Sequence, residues 1–112
     1  MRKKKRSVQK SLEVIPEKMV TLTAESAEKI KNALQRYSAS GVRIRAKQNE
    51  RGSVSFSLDV EDEAQSNDLV LDDKGIKLFV DPSSTRYVQG IEIRYVETER
   101  GSGFAVVNPA SG

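Results

Sequence analysis

Asp59, Glu61, Asp62 and Glu63, with Asp68, Asp72 and Asp73 close behind, form the densest set of side chains able to do chemistry. Carboxylates at that density could hold a hard cation such as Ca²⁺ through oxygen. Their spacing matches no calcium loop, so a solvated acidic turn is the preferred reading. Arg43, Arg45 and Lys47 alternate along a second segment, with Arg51 following in a loop. A cationic strand face of this kind could meet an anionic partner, and it is equally the exposed side of an amphipathic strand. Gly101-Ser102-Gly103-Phe104 suggests a phosphate cradle only superficially. It lacks the Lys-Ser/Thr pair of a P-loop, no helix follows it, and a tight loop before a strand is expected there.

The chain of 112 residues has no cysteine and no histidine. That removes disulfides, thiolate nucleophiles and thiolate metal sites, together with the side chain best suited to proton transfer near neutral pH. No two carboxylates are marked as sharing a buried pocket, so a general acid and base pair is not identifiable and a non-enzymatic protein is expected. No stretch approaches the roughly 20 apolar residues of a membrane span. No apolar segment follows the charged start, so no secretory signal is expected and a cytoplasmic location is inferred.

Charge divides the chain unevenly. Arg2, Lys3, Lys4, Lys5, Arg6 and Lys10 precede the first acid, Glu13, whereas residues 11–112 hold 13 basic and 16 acidic side chains, a net charge of −3. Residues 1–18 therefore read as a basic flexible arm and residues 19–112 as one domain. The arm could contact nucleic acid or an acidic surface through counterion release, but without interleaved aromatics it supplies only sequence-independent affinity. Nucleic acid is therefore the less favoured partner.

The elements that must position these groups follow from periodicity. Met19–Leu22 reads as a short strand and Thr23 as an N-cap. Ala27, Ile30, Leu34 and Tyr37 recur at helical spacing over Ala24–Tyr37, and Ser38, Ser40 and Gly41 mark its end, where the glycine can take the left-handed conformation that closes a helix. Val42, Ile44 and Ala46, then Val54, Phe56, Leu58 and Val60, alternate as half-buried strands joined by the loop Gln48–Ser53. Asp68–Leu71 and Ile76–Val80 form a hairpin about Asp72-Asp73-Lys74-Gly75. Pro82 opens a short helix reaching Tyr87 and Val88, stopped by Gly90. Ile91–Val96 and Gly103–Val107 are the last strands. The order β-α-ββ-ββ-α-ββ, with strands in hairpin-linked pairs, argues against a doubly wound parallel sheet.

Taken together, Val20-Thr21-Leu22-Thr23, Ala27-Glu28-Lys29-Ile30, Gly41-Val42-Arg43-Ile44, Phe56-Ser57-Leu58, Gly75-Ile76 through Val80-Asp81-Pro82, Gly90 through Tyr95-Val96, and Gly101-Ser102-Gly103-Phe104 with Asn108-Pro109 resemble the A-type iron–sulfur carrier family (HesB/IscA-like). The resemblance spans about Met19 to Gly112. It implies an α+β fold of twisted, mostly antiparallel sheets in a compact sandwich with a long first helix and one short helix, assembling as dimers or tetramers.

Members of that family take iron–sulfur clusters or iron through three cysteines and pass them to apo-proteins. The first cysteine lies in the loop between the two strands after the long helix, which falls on about Arg51 here. The other two lie shortly after the Asn-Pro, where this sequence reads Ala110-Ser111-Gly112 and stops. Every ligand position is then substituted or absent, and an arginine reverses the charge of a thiolate site. The resemblance thus implies a degenerate member without a bound cofactor, working through protein partners of iron–sulfur or sulfur metabolism. Arg43, Arg45, Lys47, Arg51 and Gly101, Ser102, Gly103 and Phe104 are the candidate partner-binding residues. The alternative is mononuclear ferric iron held by oxygen, with Glu50, Glu97, Glu99 or Tyr95 as ligands.

Overall fold

The computed structural model describes residues 19–108; the basic segment 1–18 and residues 109–112, including the predicted lost-ligand stretch Ala110-Ser111-Gly112, lie outside the described residues. Elements follow the expected order: β1 (Val20–Leu22), α1 (Ala24–Tyr37), β2 (Gly41–Gln48), β3 (Val54–Glu61), β4 (Leu69–Asp73), β5 (Ile76–Val80), α2 (Pro82–Thr85), β6 (Ile91–Thr98) and β7 (Gly101–Val107). The strands form two sheets, β1-β6-β7 and β3-β2-β5-β4. Hairpin partners β2/β3, β4/β5 and β6/β7 are antiparallel, while the crossovers β1/β6 and β2/β5 are parallel.

Helix α1 starts where Thr23 Oγ1 accepts from Ser26 N at 3.2 Å, satisfying an amide the first turn leaves unpaired. It ends at Tyr37 as expected, but the left-handed residue is Ser38 and not the glycine. Ser38 adopts the left-handed conformation at φ 54°, and Ala39 N donates back to Leu34 O at 2.9 Å. Gly41 instead permits a close approach within the second sheet, since a Cβ there would stand 2.7 Å from Lys77 O and 2.8 Å from the Phe79 ring. The buried stripe is also shorter than its periodicity predicts. Ala27 and Ile30 are buried with Ser26, but Tyr37 is 62% exposed.

One apolar cluster joins both sheets, with Val20, Leu22, Ile91 and Ile93 from the first facing Val42, Ile44, Leu78 and Val80 from the second, and Ile30 laid across them. Alternation along each strand supplies these residues, and their burial is the main favourable term in folding. Polar links fasten the seam. Leu22 N, on an edge strand, donates to Asp73 Oδ2 of the other sheet at 2.8 Å. Ser26 Oγ donates to Ile93 O at 2.8 Å, which pins α1 to β6.

The β4–β5 turn is tighter than expected. Asp72 and Asp73 pair with Lys77 and Ile76, leaving only Lys74-Gly75 in the bend at φ 52° and 80°. Two positive φ angles match the right-handed twist of a two-residue hairpin. Helix α2 is likewise shorter than predicted, ending at Thr85. No described helix is long and apolar enough to cross a membrane.

Candidate functional site

Arg51 stands at the tip of the β2–β3 hairpin, beyond the last register pair Gln48–Val54. The backbone of this loop is held largely by Asn49, whose Oδ1 accepts from Arg51 N at 2.9 Å and from Ser53 N at 3.0 Å. Asn49 N donates to Ser53 O at 2.8 Å, Gln48 Nε2 donates to Gly52 O at 3.1 Å, and Gly52 takes φ 87°. The loop is therefore a shaped platform, and Arg51 is exposed on it with no ion pair among the described residues. A guanidinium has no lone pair to give a metal and keeps its charge at any working pH. This site does not fit a cluster held by thiolates.

The three cations of β2 do not share one environment. Arg45, with its side chain about half exposed, pairs with Asp59 at 3.1 Å and Glu61 at 3.5 Å, and Lys47 is exposed. Arg43 departs from the expectation of an exposed cationic face, since it is 1% exposed. Its Nε donates to Glu61 Oε2 at 2.8 Å, and its two terminal nitrogens grip Asp68 at 2.9 and 2.5 Å. The segment before β4 folds back over β2, which buries Arg43 and engages all three of its nitrogens. It is therefore not available to a partner.

The same fold-back corrects the reading of the acidic run. Asp68 and Asp73 are paired inside the protein, Asp59 and Glu61 serve Arg45 and Arg43, and no group of three carboxylates among the described residues is placed to hold a metal ion. The Arg43 fork holds the Asp68 carboxyl below its ordinary range, with a further hydrogen bond from Gln65 N acting the same way. Glu50, Glu97 and Glu99, three of the alternative iron ligands, belong to no such group either.

A serine missed by the motif reading completes β2. Strand β5 pairs with β2 only as far as Ile44, and Ser84 Oγ then accepts from Ala46 N at 2.9 Å while donating to Asp81 Oδ1 at 2.8 Å. Hydrogen bonds from Ser83 and Ser84 hold the Asp81 carboxyl below its ordinary range. The signal is present in Asp81-Pro82-Ser83-Ser84, a helix-start signature, but nothing local announces that Ser84 serves a distant strand.

Gly101-Ser102-Gly103-Phe104 lies within β7 and not in a loop before it. Each residue faces one of β6, with Phe104 opposite Tyr95 and Gly101 opposite Thr98. The Tyr95 and Phe104 rings meet edge to face at 5.4 Å, and Lys29 Nζ of α1 lies 5.1 Å from the Tyr95 ring centre. Phe104 is 41% exposed, a large apolar side chain held in place without being covered.

The chain as a whole has counterparts among known proteins. An uncharacterized protein in the nifU 5′ region of Azotobacter vinelandii is 34% identical over 97 residues, covering 81% of this chain and 87% of that protein. The iron-sulfur cluster insertion protein ErpA of Xylella fastidiosa is 28% identical over 95 residues, covering 83% and 74%. The crystal structure of Escherichia coli SufA, involved in biosynthesis of iron-sulfur clusters, superposes with a TM-score of 0.70 at 28% identity, covering 80% of each chain. That of IscA with its [2Fe-2S] cluster shares the fold at a TM-score of 0.66 and 24% identity, covering 80% of this chain and 85% of that one. The family model for iron-sulphur cluster biosynthesis matches residues 19–111. This chain belongs to the iron-sulphur cluster biosynthesis family.

Proposed function

We propose that this protein is a cysteine-free, non-catalytic accessory of iron–sulfur cluster assembly or sulfur metabolism, acting in the cytoplasm by binding protein partners instead of carrying a cluster. The observation that carries the reading is Arg51. It sits on a hairpin tip whose backbone is organised by Asn49, so an ordered platform presents a cationic side chain. The chain supplies no cysteine anywhere in its 112 residues. What it retains are surfaces: Lys47 and Arg51 on the β2–β3 hairpin, and the outer face of the β6–β7 hairpin.

Anaerobic incubation with ferrous iron and sulfide, followed by gel filtration, is expected to leave the protein colourless. A stoichiometric visible chromophore that stays with the protein would overturn the reading. In parallel, molar excess of this protein should alter the rate at which a cysteine-bearing relative delivers its cluster to an apo-ferredoxin. An unchanged rate would remove the accessory role.

A further inference from the structure

The exposed face of Phe104 opens onto a groove. Two cavities, of about 180 and 340 Å³, lie on either side of the Phe104 ring, and Ala33 of α1 lines both. Sharing Ala33 and Phe104, they adjoin as a trough between α1, the end of β3 and the β6–β7 hairpin. Ile30, Leu58, Val60 and Phe104 give its floor an aliphatic and aromatic surface. Ala33 makes the trough possible, since any larger side chain there would fill it.

The rim of the larger half carries one sign of charge. Lys29, Asn32 and Arg36 recur along α1 at helical spacing and border the larger half, which no carboxylate lines. Among the described residues neither Lys29 nor Arg36 has an ion pair. Asp59, the one carboxylate of the smaller half, is already paired with Arg45 at 3.1 Å. Unpaired cations flank an apolar trough in a domain that otherwise carries more acids than bases.

We infer that this groove is a docking site for an acidic peptide segment of a partner protein, one that seats a large apolar side chain beside Phe104 and sets carboxylates against Lys29 and Arg36. This rests on the partner-binding reading and names its surface and the chemistry of its partner. The anchor removes apolar surface from water against a rim that is already ordered, because Tyr95 meets Phe104 edge to face and Lys29 lies over Tyr95, and little entropy is lost on binding. Complementary charge fixes register and speeds encounter. The mostly aliphatic floor favours a peptide over a stack of nucleobases, which would need successive aromatic platforms.

The test is fluorescence anisotropy with a labelled peptide of about twelve residues, glutamates bearing one Leu and one Phe spaced about one helical turn apart. The wild-type protein should bind it. Ala33→Trp, which blocks the trough, and the double variant Lys29→Glu/Arg36→Glu, which reverses the rim, should each weaken binding by about tenfold or more. Replacing the two anchors by Ser, or the glutamates by Lys, should do the same.

Absence of wild-type binding overturns the inference, as does equal binding by the anchor-free peptide or by both variants. Preferential binding of labelled oligothymidylate that Ala33→Trp abolishes would assign the trough to single-stranded nucleic acid instead. A wild-type oligomer that Ala33→Trp dissociates in the ultracentrifuge would assign it to a second copy of this chain, again overturning the proposal. Failure here leaves the colourless reconstitution untouched, and a chromophore there would leave the peptide result standing, so the two readings fail separately.

Discussion

Arg43 on β2 and Asp68 before β4 meet as a two-pronged fork, at 2.9 and 2.5 Å, with both side chains almost wholly removed from water. Arg43 supplies its third nitrogen to Glu61 at 2.8 Å. A pair of this kind adds little over a well-packed apolar pair, but breaking it from one side strands a charge. Asp68→Ala should therefore lower stability by about 3–5 kcal/mol in chemical denaturation. The double replacement Arg43→Met/Asp68→Leu should recover much of that loss, which would distinguish a stranded charge from a general packing defect.

Acid should act through the same residues. The Asp68 and Asp81 carboxyls are both held below the ordinary 3.8, by Arg43 and by the Ser83 and Ser84 hydroxyls respectively. A carboxyl whose folded-state value is depressed contributes stability that is fully present above its unfolded value and is lost as pH falls through the folded one. The denaturation midpoint is thus expected to fall below about pH 4. With no histidine in the chain, no side chain titrates at its ordinary value between about pH 5 and 8, and stability should be level there. Asp68→Asn should flatten the acid limb measurably; an unchanged limb would count against this assignment.

Periodicity made the elements legible because helices and half-buried strands write their burial into the residue order. Ile44, Ala46, Ile91 and Ile93 all fall on the predicted inward face. What alternation does not encode is a segment folding over the outer face of a sheet. Arg43 looks identical to Arg45 in sequence, yet residues before β4 close over one and not the other. The same blindness hid Ser84, whose acceptor role serves a strand 38 residues away. At the candidate site the residue type at position 51 was readable at once, whereas the trough beside Phe104 needed α1, β3 and β7 brought together in space.

Gly41 should be intolerant of even one added carbon. It starts β2 opposite Lys77 and under Phe79, and a Cβ would collide with a backbone oxygen and with an aromatic ring that is itself 2% exposed. Neither neighbour can yield cheaply, so Gly41→Ala is expected to cost about 1–3 kcal/mol, the range of overpacked sites. Gly103→Ala on β7 is the control, with nothing within 4 Å of the added atom. Its denaturation midpoint should match wild type, and equal losses at the two positions would refute the steric account.

Ser84 ties the short helix to the platform that carries Arg51. Its hydroxyl is the acceptor for Ala46 N where β5 no longer covers β2, and both residues are buried. Removing the oxygen leaves a buried amide without a partner, at about 1–3 kcal/mol. Asp81 loses one of its two hydroxyl donors at the same time. Ser84→Ala should therefore destabilise the fold by that amount. Beyond the global loss, it should speed amide hydrogen exchange first at Ala46 and then along Lys47 and Gln48 toward the β2–β3 tip, while α1 and β6 keep their protection. Exchange accelerated uniformly through the chain would show instead that Ser84 stabilises only the whole fold, with no particular hold on the strand that presents Arg51.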